Sequence, residues 1–145
     1  MVETLAVKVI AKLLLGPIFV VAAAVLAKGY AQVGDGFSAG LIAAIGILLQ
    51  YVAFGRQETE RLLPLRFVGL LAPVGLLIAL LVAFVPVMRG EPILTQAPPA
   101  GTEAAHLGTL ELITALAFDV GVFLVVFGFA VAAMSALARI GEDRP

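Results

Sequence analysis

Four long apolar stretches set the limits on how this chain can fold. They run over about residues 9–27, 37–54, 67–88 and 110–137. Each comes close to or exceeds the roughly 20 residues that an α-helix needs to cross a bilayer. Inside lipid every backbone N–H and C=O group must be satisfied within the protein, so such stretches cross as helices. The sequence therefore predicts an all-α integral membrane protein with four transmembrane helices.

The remaining composition leaves no room for a soluble domain of ordinary size. Of the 145 residues, 62% are hydrophobic and 13% are charged, whereas soluble domains are nearer half apolar and a quarter charged. We therefore interpret residues 1–145 as a single membrane domain. The lack of cysteine and the single histidine argue against a metal centre or a cysteine nucleophile. We expect neither a cofactor nor enzymatic activity. We also expect no nucleic acid partner, since no basic cluster is present.

The lysine and arginine residues predict the orientation of the four spans. With four spans, both termini and the middle loop share one side of the membrane. That side carries Lys8, Lys12, Arg56, Arg61, Arg66, Arg139 and Arg144, whereas the other side carries only Lys28 and Arg89. Because basic loops are enriched on the cytoplasmic side, both termini are predicted to be cytoplasmic.

One carboxylate interrupts the fourth apolar stretch. Asp119 lies nine residues beyond residue 110, which at 1.5 Å per residue predicts a position roughly 13 Å deep, near the middle of the membrane. An ionised acid at that depth costs at least about 2.5–3.5 kcal/mol, so Asp119 should face protein or a water-filled cavity. Its sequence neighbours offer no counter-charge, so any partner must come from another helix or subunit. Asp119 is either part of an ion or proton path or a neutral acid that fixes helix packing.

Four other polar residues are further candidates for an ion or proton path. Lys12 lies in the first turns of the first span, where its side chain can also extend to the cytoplasmic surface. Glu111 and His106 stand where the fourth span meets the outer surface, and both fit a solvated helix end. His106 could also change its charge near neutral pH. Asp35 lies in a glycine-rich turn before the second span, where it could cap the helix or approach a cation.

Small residues spaced four apart predict where the helices pack closely, because helix association in lipid depends on close backbone approach. These predicted packing seams consist of Gly36, Gly40 and Ala44 in the second span, and of Ala117, Gly121, Gly128, Ala132 and Ala136 in the fourth.

Two motifs resemble the B subunit of Mrp-type multisubunit sodium/proton antiporters, the MnhB family. The stretch GDGFSAGLIAAIGILLQYVAFG, residues 34–55, is similar to the family's PGGGF.GG turn and the apolar helix that follows it. The stretch HLGTLELITALAFDVGVFLVVFG, residues 106–128, is similar to the family's fourth helix, where a Thr-Ala pair precedes Phe-Asp-Ile/Val-Gly-Val. The matching motif residues are Gly34, Gly36, Phe37 and Gly40 in the turn, and Phe118, Asp119 and Gly121 in the helix.

The turn departs from the family pattern at two positions. Val33 stands where the family has proline, and Asp35 stands where it has the middle glycine. A role for a proline is therefore absent from this turn, and an acid has been added to it.

The resemblance implies membership in a complex of several different membrane proteins in a prokaryotic cell membrane. Such a complex exchanges Na⁺ against H⁺, and large subunits related to those of respiratory complex I move the protons. The implied partners are the other antiporter subunits, the two ions and the lipid bilayer. The resemblance leaves open whether this small member of the complex lines the ion path or supports it.

Two alternative functions are compatible with a small four-helix membrane protein. One is a self-contained, proton-coupled multidrug exporter, but such exporters carry a working glutamate inside the first helix. Here the first span contains no acid after Glu3, which lies outside it. The other alternative is a purely structural assembly component in which Asp119 is neutral and buried.

The predicted orientation can be tested with single cysteines, since the chain has none of its own. An impermeant thiol reagent added to intact cells should label Gln96→Cys and should leave Glu58→Cys and Asp143→Cys unlabelled. Labelling of Glu58→Cys from outside would overturn the orientation.

Overall fold

The computed structural model describes residues 2–28, 34–62, 65–90 and 105–143, with the backbone alone at 2–4, 65–66 and 105–112. Its secondary structure in this part of the chain is helical throughout. The helices are α1 Val2–Lys28, α2 Asp35–Phe54, α3 Arg56–Leu62, α4 Leu65–Met88 and α5 Ala105–Glu142. Among the described residues, α1, α2, α4 and α5 are long and apolar enough to cross a membrane. This confirms the predicted all-helical fold with four candidate spans.

The short helix α3 was not predicted from the sequence. It begins at Arg56, one residue after α2 ends at Phe54. Gly55 separates the two helices, because its positive φ of 79° ends α2. Its sequence RQETERL pairs opposite charges one turn apart: Arg56 with Glu60 at 2.9 Å, and Arg61 with Glu58 at 3.3 Å. Pairs at this spacing stabilise a helix, so this polar loop continues as a helical turn.

The membrane-capable helices pack mainly in the order α1, α2, α5, α4, with each helix against the next. The two central helices, α2 and α5, therefore connect the two flanking ones. Large apolar side chains of the flanking helices are exposed in the isolated chain, for example Leu13 and Val20 of α1 and Leu77 and Leu81 of α4. In a membrane these faces meet lipid or other subunits.

Glycines bring α4 and α5 into backbone contact. A Cβ atom built on Gly75 would lie 2.5 Å from the carbonyl oxygen of Gly121, and one built on Gly121 would lie 2.9 Å from the carbonyl oxygen of Gly75. A Cβ atom built on Gly128 would lie equally close to the backbone nitrogen of Ala72, at 2.8 Å. A side chain larger than hydrogen at these positions would force the two helices apart.

The predicted packing seams hold in part. Gly36, Gly40 and Ala44 of α2 are buried, as are Gly121 and Gly128 of α5. The continuation of the α5 seam to Ala132 and Ala136 is wrong, because both residues are exposed in this chain. The buried face of α5 is instead shifted by one residue. It contains Phe127, Val131 and Ser135, which directly precede Gly128, Ala132 and Ala136.

An apolar core joins α1, α2 and α5. Ile47 of α2 and Val131 of α5 are almost fully buried there. Phe127 stacks on Phe123 with ring centroids 5.8 Å apart and meets the edge of Phe19 of α1 at 6.2 Å. The core therefore fixes α1 and α5 on either side of α2.

A polar cluster ties α3 to the end of α5. Arg56 bonds to Glu142 at 2.6 Å as well as to Glu60, and the Ser135 hydroxyl donates to Glu60 at 3.1 Å. Burial works against ionisation of Glu60, but the hydrogen bonds from Arg56 and Ser135 outweigh it and hold the pKa of Glu60 below its usual value. Glu60 therefore stays ionised at neutral pH and keeps its ion pair with Arg56.

The α4–α5 contact predicts a difference between two glycines of the same helix. Gly75→Ala should lower the free energy of unfolding by about 1–3 kcal/mol, because the added methyl group meets the backbone of α5. Gly69→Ala is the matched control, since nothing lies within 4 Å of a Cβ there. Thermal unfolding in mild detergent measures both, and equal effects of the two substitutions would contradict the backbone contact.

Candidate functional site

The candidate site lies where the beginning of α2 meets α5. Asp119 of α5 is completely buried, with 0% of its surface exposed. Its Oδ1 atom accepts a hydrogen bond from the backbone N–H of Gly34, at 3.3 Å. Gly34 immediately precedes α2. The partner of Asp119 thus comes from another helix, as its uncharged sequence neighbours required.

The local backbone explains why this hydrogen bond forms. The first N–H groups of a helix have no acceptor within the helix, and α2 has no side-chain cap of its own at Gly34. Gly34 has a φ of 124°, which side-chain-bearing residues rarely adopt. Asp119 supplies from α5 the acceptor for the N-cap N–H that the third residue of a helix supplies in a capping box. The positive end of the α2 dipole also favours a carboxylate at this place.

Gly36 and Gly40 allow α2 to lie directly on α5. A Cβ atom on Gly36 would collide with the backbone carbonyl oxygen of Asp119, and one on Gly40 would lie 3.0 Å from the carbonyl oxygen of Phe123. The backbone N–H of Gly36 also interacts electrostatically with the Asp119 carboxyl group. The two motifs, about 85 residues apart in the chain, therefore form one site.

The surroundings of the second carboxyl oxygen of Asp119 differ from those of the first. Oδ2 is buried and has no hydrogen-bond partner among the residues that the structure describes. In the same part of the chain no basic side chain forms an ion pair with Asp119. Asp35, the first residue of α2, interacts electrostatically with Asp119, and both side chains are acids. Among the described residues, one carboxyl oxygen of Asp119 thus has a hydrogen-bond partner and the other has none.

Asp119 lies at different levels relative to its two neighbouring helices. It is level with the first turn of α2. Gly121, two residues further on α5, contacts Gly75 and Ala79, which lie well inside the 24 residues of α4. The predicted depth of Asp119 near the middle of the membrane stays a prediction.

Lys12 does not belong to this site. It is exposed on α1 beside Ala11, whose carbonyl oxygen accepts a hydrogen bond of 2.7 Å from Gln50 Nε2. Gln50 follows Asp35 by 15 residues on α2, or about 22 Å along the helix. Lys12 therefore lies near the other end of α2.

The other predicted residues are distributed around the site. Asp35 is half-buried beside it, whereas Phe37 is largely exposed on α2 and Phe118 is half-buried on α5. Gly121 contacts α4 instead of α2. His106 and Glu111 fall in the first turns of α5, and their side chains lie outside the described residues. Their roles stay predictions.

Gln50 is a buried polar residue that was not predicted from the sequence. It is 1% exposed, and its Oε1 atom has no hydrogen-bond partner among the described residues. A strongly polar side chain interrupts the second apolar stretch here, just as Asp119 interrupts the fourth. The same criterion would have identified it.

The fold and the site define a helical, multi-pass membrane protein with a buried carboxylate held by the start of a neighbouring helix. A family model described as "Domain related to MnhB subunit of Na+/H+ antiporter" matches residues 6–132. The chain belongs to the MnhB family. This confirms the resemblance of the two motifs.

Relatives in several bacteria align with most of the chain. The B subunit of the Na(+)/H(+) antiporter from Alkalihalophilus pseudofirmus is 37% identical over 115 residues, covering 79% of this chain and 76% of the relative. The protein of the same name from Bacillus subtilis is 36% identical over 116 residues, covering 80% and 78%. The A/B subunit of a probable K(+)/H(+) antiporter from Rhizobium meliloti is 33% identical over 127 residues, covering 86% of this chain and 12% of the relative.

The close contact at Gly36 predicts the behaviour of the first turn of α2. Gly36→Ala should push α2 away from α5 and lower the local opening free energy around residues 34–40 by about 1–3 kcal/mol. Amide hydrogen exchange measured by mass spectrometry should show faster exchange there and little change around Gln50. Gly16→Ala is the control, because its Cβ meets nothing within 4 Å. Unchanged exchange at residues 34–40 would contradict the contact.

Proposed function

We propose that this chain serves as the B subunit of a multisubunit Na⁺/H⁺ antiporter and that Asp119 takes part in the ion or proton path of that complex. Family membership and two relatives named as B subunits of Na(+)/H(+) antiporters support the first part. The four membrane-capable helices and the bacterial relatives make it a multi-pass protein of a prokaryotic plasma membrane. It is a component of a transporter and not a catalytic enzyme.

One observation carries the role of Asp119. The carboxyl group is completely buried in a membrane-capable helix, and its Oδ2 atom has no partner among the described residues. Acids in such positions are costly and are found where they serve ion or proton paths. A purely structural cap requires only an acceptor for the Gly34 N–H, which an amide or hydroxyl group supplies at lower cost.

The flanking helices supply faces for partner subunits. Apolar side chains of α1 and α4 are exposed along much of their length, and the glycine contacts of α4 are directed to α5. The Rhizobium meliloti relative is named as an A/B subunit, and this chain aligns with 12% of its length. That name supports a position beside the A component of the same complex. Na⁺ and H⁺ are the ions that we propose for exchange.

The orientation and the domain boundaries are part of the same proposal. Both termini lie in the cytoplasm, on the side with most of the basic residues. In that orientation the Arg56–Glu60–Glu142 cluster lies inside and Asp119 lies toward the outer surface. Residues 1–145 form one domain, in support of which the family match spans residues 6–132.

Substitution of Asp119 by Asn tests the proposed role. Asp119→Asn keeps the size of the side chain and an acceptor for the Gly34 N–H but cannot ionise. We expect the variant to co-purify with the other subunits, while Na⁺-dependent proton exchange in membrane vesicles falls several-fold or moves to another pH range. Fluorescence of a pH-sensitive dye across neutral and alkaline pH measures this exchange.

Glu58→Gln is the matched control for this experiment. Glu58 is an exposed acid of α3 that pairs with Arg61 at 3.3 Å, far along the chain from the site, and its loss should leave exchange unchanged. An assembled Asp119→Asn complex with wild-type exchange at every pH would refute the role and favour the structural alternative. Purification as a homodimer that transports drugs by itself would instead favour the exporter.

A further inference from the structure

The proposed function leaves undecided which of the two exchanged ions acts at Asp119. A carboxylate can bind Na⁺ or carry a proton, and these roles require different surroundings. A cation site needs several oxygen ligands around the ion, whereas a proton site needs only a carboxyl oxygen that is not held by another hydrogen bond. The groups around Asp119 distinguish the two.

We infer that Asp119 is a proton-exchange site that excludes Na⁺, with the start of α2 as the selective element. This inference rests on the proposed role of Asp119 in the antiporter. It assigns separate functions to the two carboxyl oxygens. Oδ1 stays bonded to the Gly34 N–H, and Oδ2 gains and loses the proton.

The backbone groups that hold the carboxyl group are donors and not cation ligands. The backbone N–H of Gly34 donates to Oδ1, and the amide of Gly36 also acts on the carboxyl group. Hard cations are bound by oxygen atoms. Helix N-termini in membrane transporters face anionic groups, whereas backbone carbonyls and helix C-terminal ends coordinate Na⁺. The beginning of α2 is thus the wrong end of a helix for a sodium ion.

The steric conditions also oppose a bound cation. Gly36 and Gly40 place the backbone of α2 so close to α5 that a single added carbon atom would meet the carbonyl oxygens of Asp119 and Phe123. On the other side of α5, Gly121 is in similar contact with Gly75 and Ala79 of α4. A proton adds no volume, whereas a sodium ion needs room for itself and its ligands between these closely packed helices.

No described basic side chain forms an ion pair with Asp119. From α2 the charged neighbour is Asp35. On α1 the exposed Lys28 lies at the end of the helix near the start of α2, and the exposed Arg89 follows Ala79 of α4 by ten residues. On α4 the segment between Gly75 and Ala79 carries no charge, and on α5 the described charges Arg139, Glu142 and Asp143 lie at the far end. Glu111 precedes Asp119 by eight residues on α5, about 12 Å along the helix. No ion pair between described residues therefore neutralises Asp119.

Both protonation states keep the same hydrogen bond. When Asp119 is ionised, Oδ1 is a carboxylate oxygen that accepts from the Gly34 N–H; when it is protonated at Oδ2, Oδ1 is a carbonyl oxygen that accepts from the same N–H. The step consists of a proton passing from a water molecule or hydronium ion to Oδ2, or back. No other bond is made or broken.

Modification by dicyclohexylcarbodiimide tests the inference without an activity assay. This reagent reacts with protonated carboxyl groups in apolar surroundings, and the modified peptide is quantified by mass spectrometry. It is applied to membranes that contain the complete set of co-expressed subunits. We expect modification of Asp119 to fall as pH rises, by about tenfold per pH unit once most of the groups are ionised. At fixed pH, Na⁺ at concentrations that saturate exchange should leave the rate unchanged.

Protection of Asp119 by Na⁺ at fixed pH would overturn the inference, because it would show a cation on the carboxylate. Absence of modification at every pH would also overturn it, since Asp119 would then not exchange protons. The exposed Glu58 should remain unmodified throughout. The antiport activity of the Asp119→Asn complex separates the two proposals. If the variant loses exchange and Na⁺ protects Asp119 of the wild-type complex, only the ion assignment is refuted. If the variant exchanges ions like the wild type, the proposed role of Asp119 itself is refuted.

Discussion

The free N–H groups at the beginning of α2 place a strong demand on this fold. In lipid such groups need an acceptor from the protein, and the residue at this helix start is Gly34, which has no side chain to supply one. Asp119 supplies it from α5. Because that acceptor is fixed at one position of α5, the bond also sets how far α2 and α5 are shifted along each other. The glycine contacts at Gly36 and Gly40 depend on that register.

The rest of the chain is organised around the paired helices α2 and α5. Polar links lie near both ends of this pair: Gly34 bonds to Asp119 at one end, and Glu60, just beyond α2, bonds to Ser135 at the other. Between these links lies an apolar core that includes Ile47, Phe127 and Val131, while the buried Gln50 of α2 bonds to α1. The helix α1 joins this core on one side, and α4 joins α5 through glycines on the other. The central pair is thus specified within the chain, while the outer faces of α1 and α4 carry exposed apolar side chains.

Hydropathy alone predicted the four long helices, because length and apolarity decide which segments can cross a bilayer. The need of Asp119 for a partner on another helix also followed from the sequence. The identity of that partner did not, since a backbone N–H group has no sequence signature. Ala132 was misplaced because spacing alone does not fix which side of a helix is covered.

The structural and ion-path interpretations of Asp119 are physically connected. As an anion, Asp119 both accepts the Gly34 hydrogen bond and interacts with the positive end of the α2 dipole; as a neutral acid it keeps the bond and loses the charge interaction. That interaction is worth about 0.3–1 kcal/mol at exposed helix ends and up to about 2 kcal/mol when partly buried. Protonation would therefore weaken the α2–α5 contact without breaking it. The same contact that sets the register of the helices would in this way respond to the charge on Asp119.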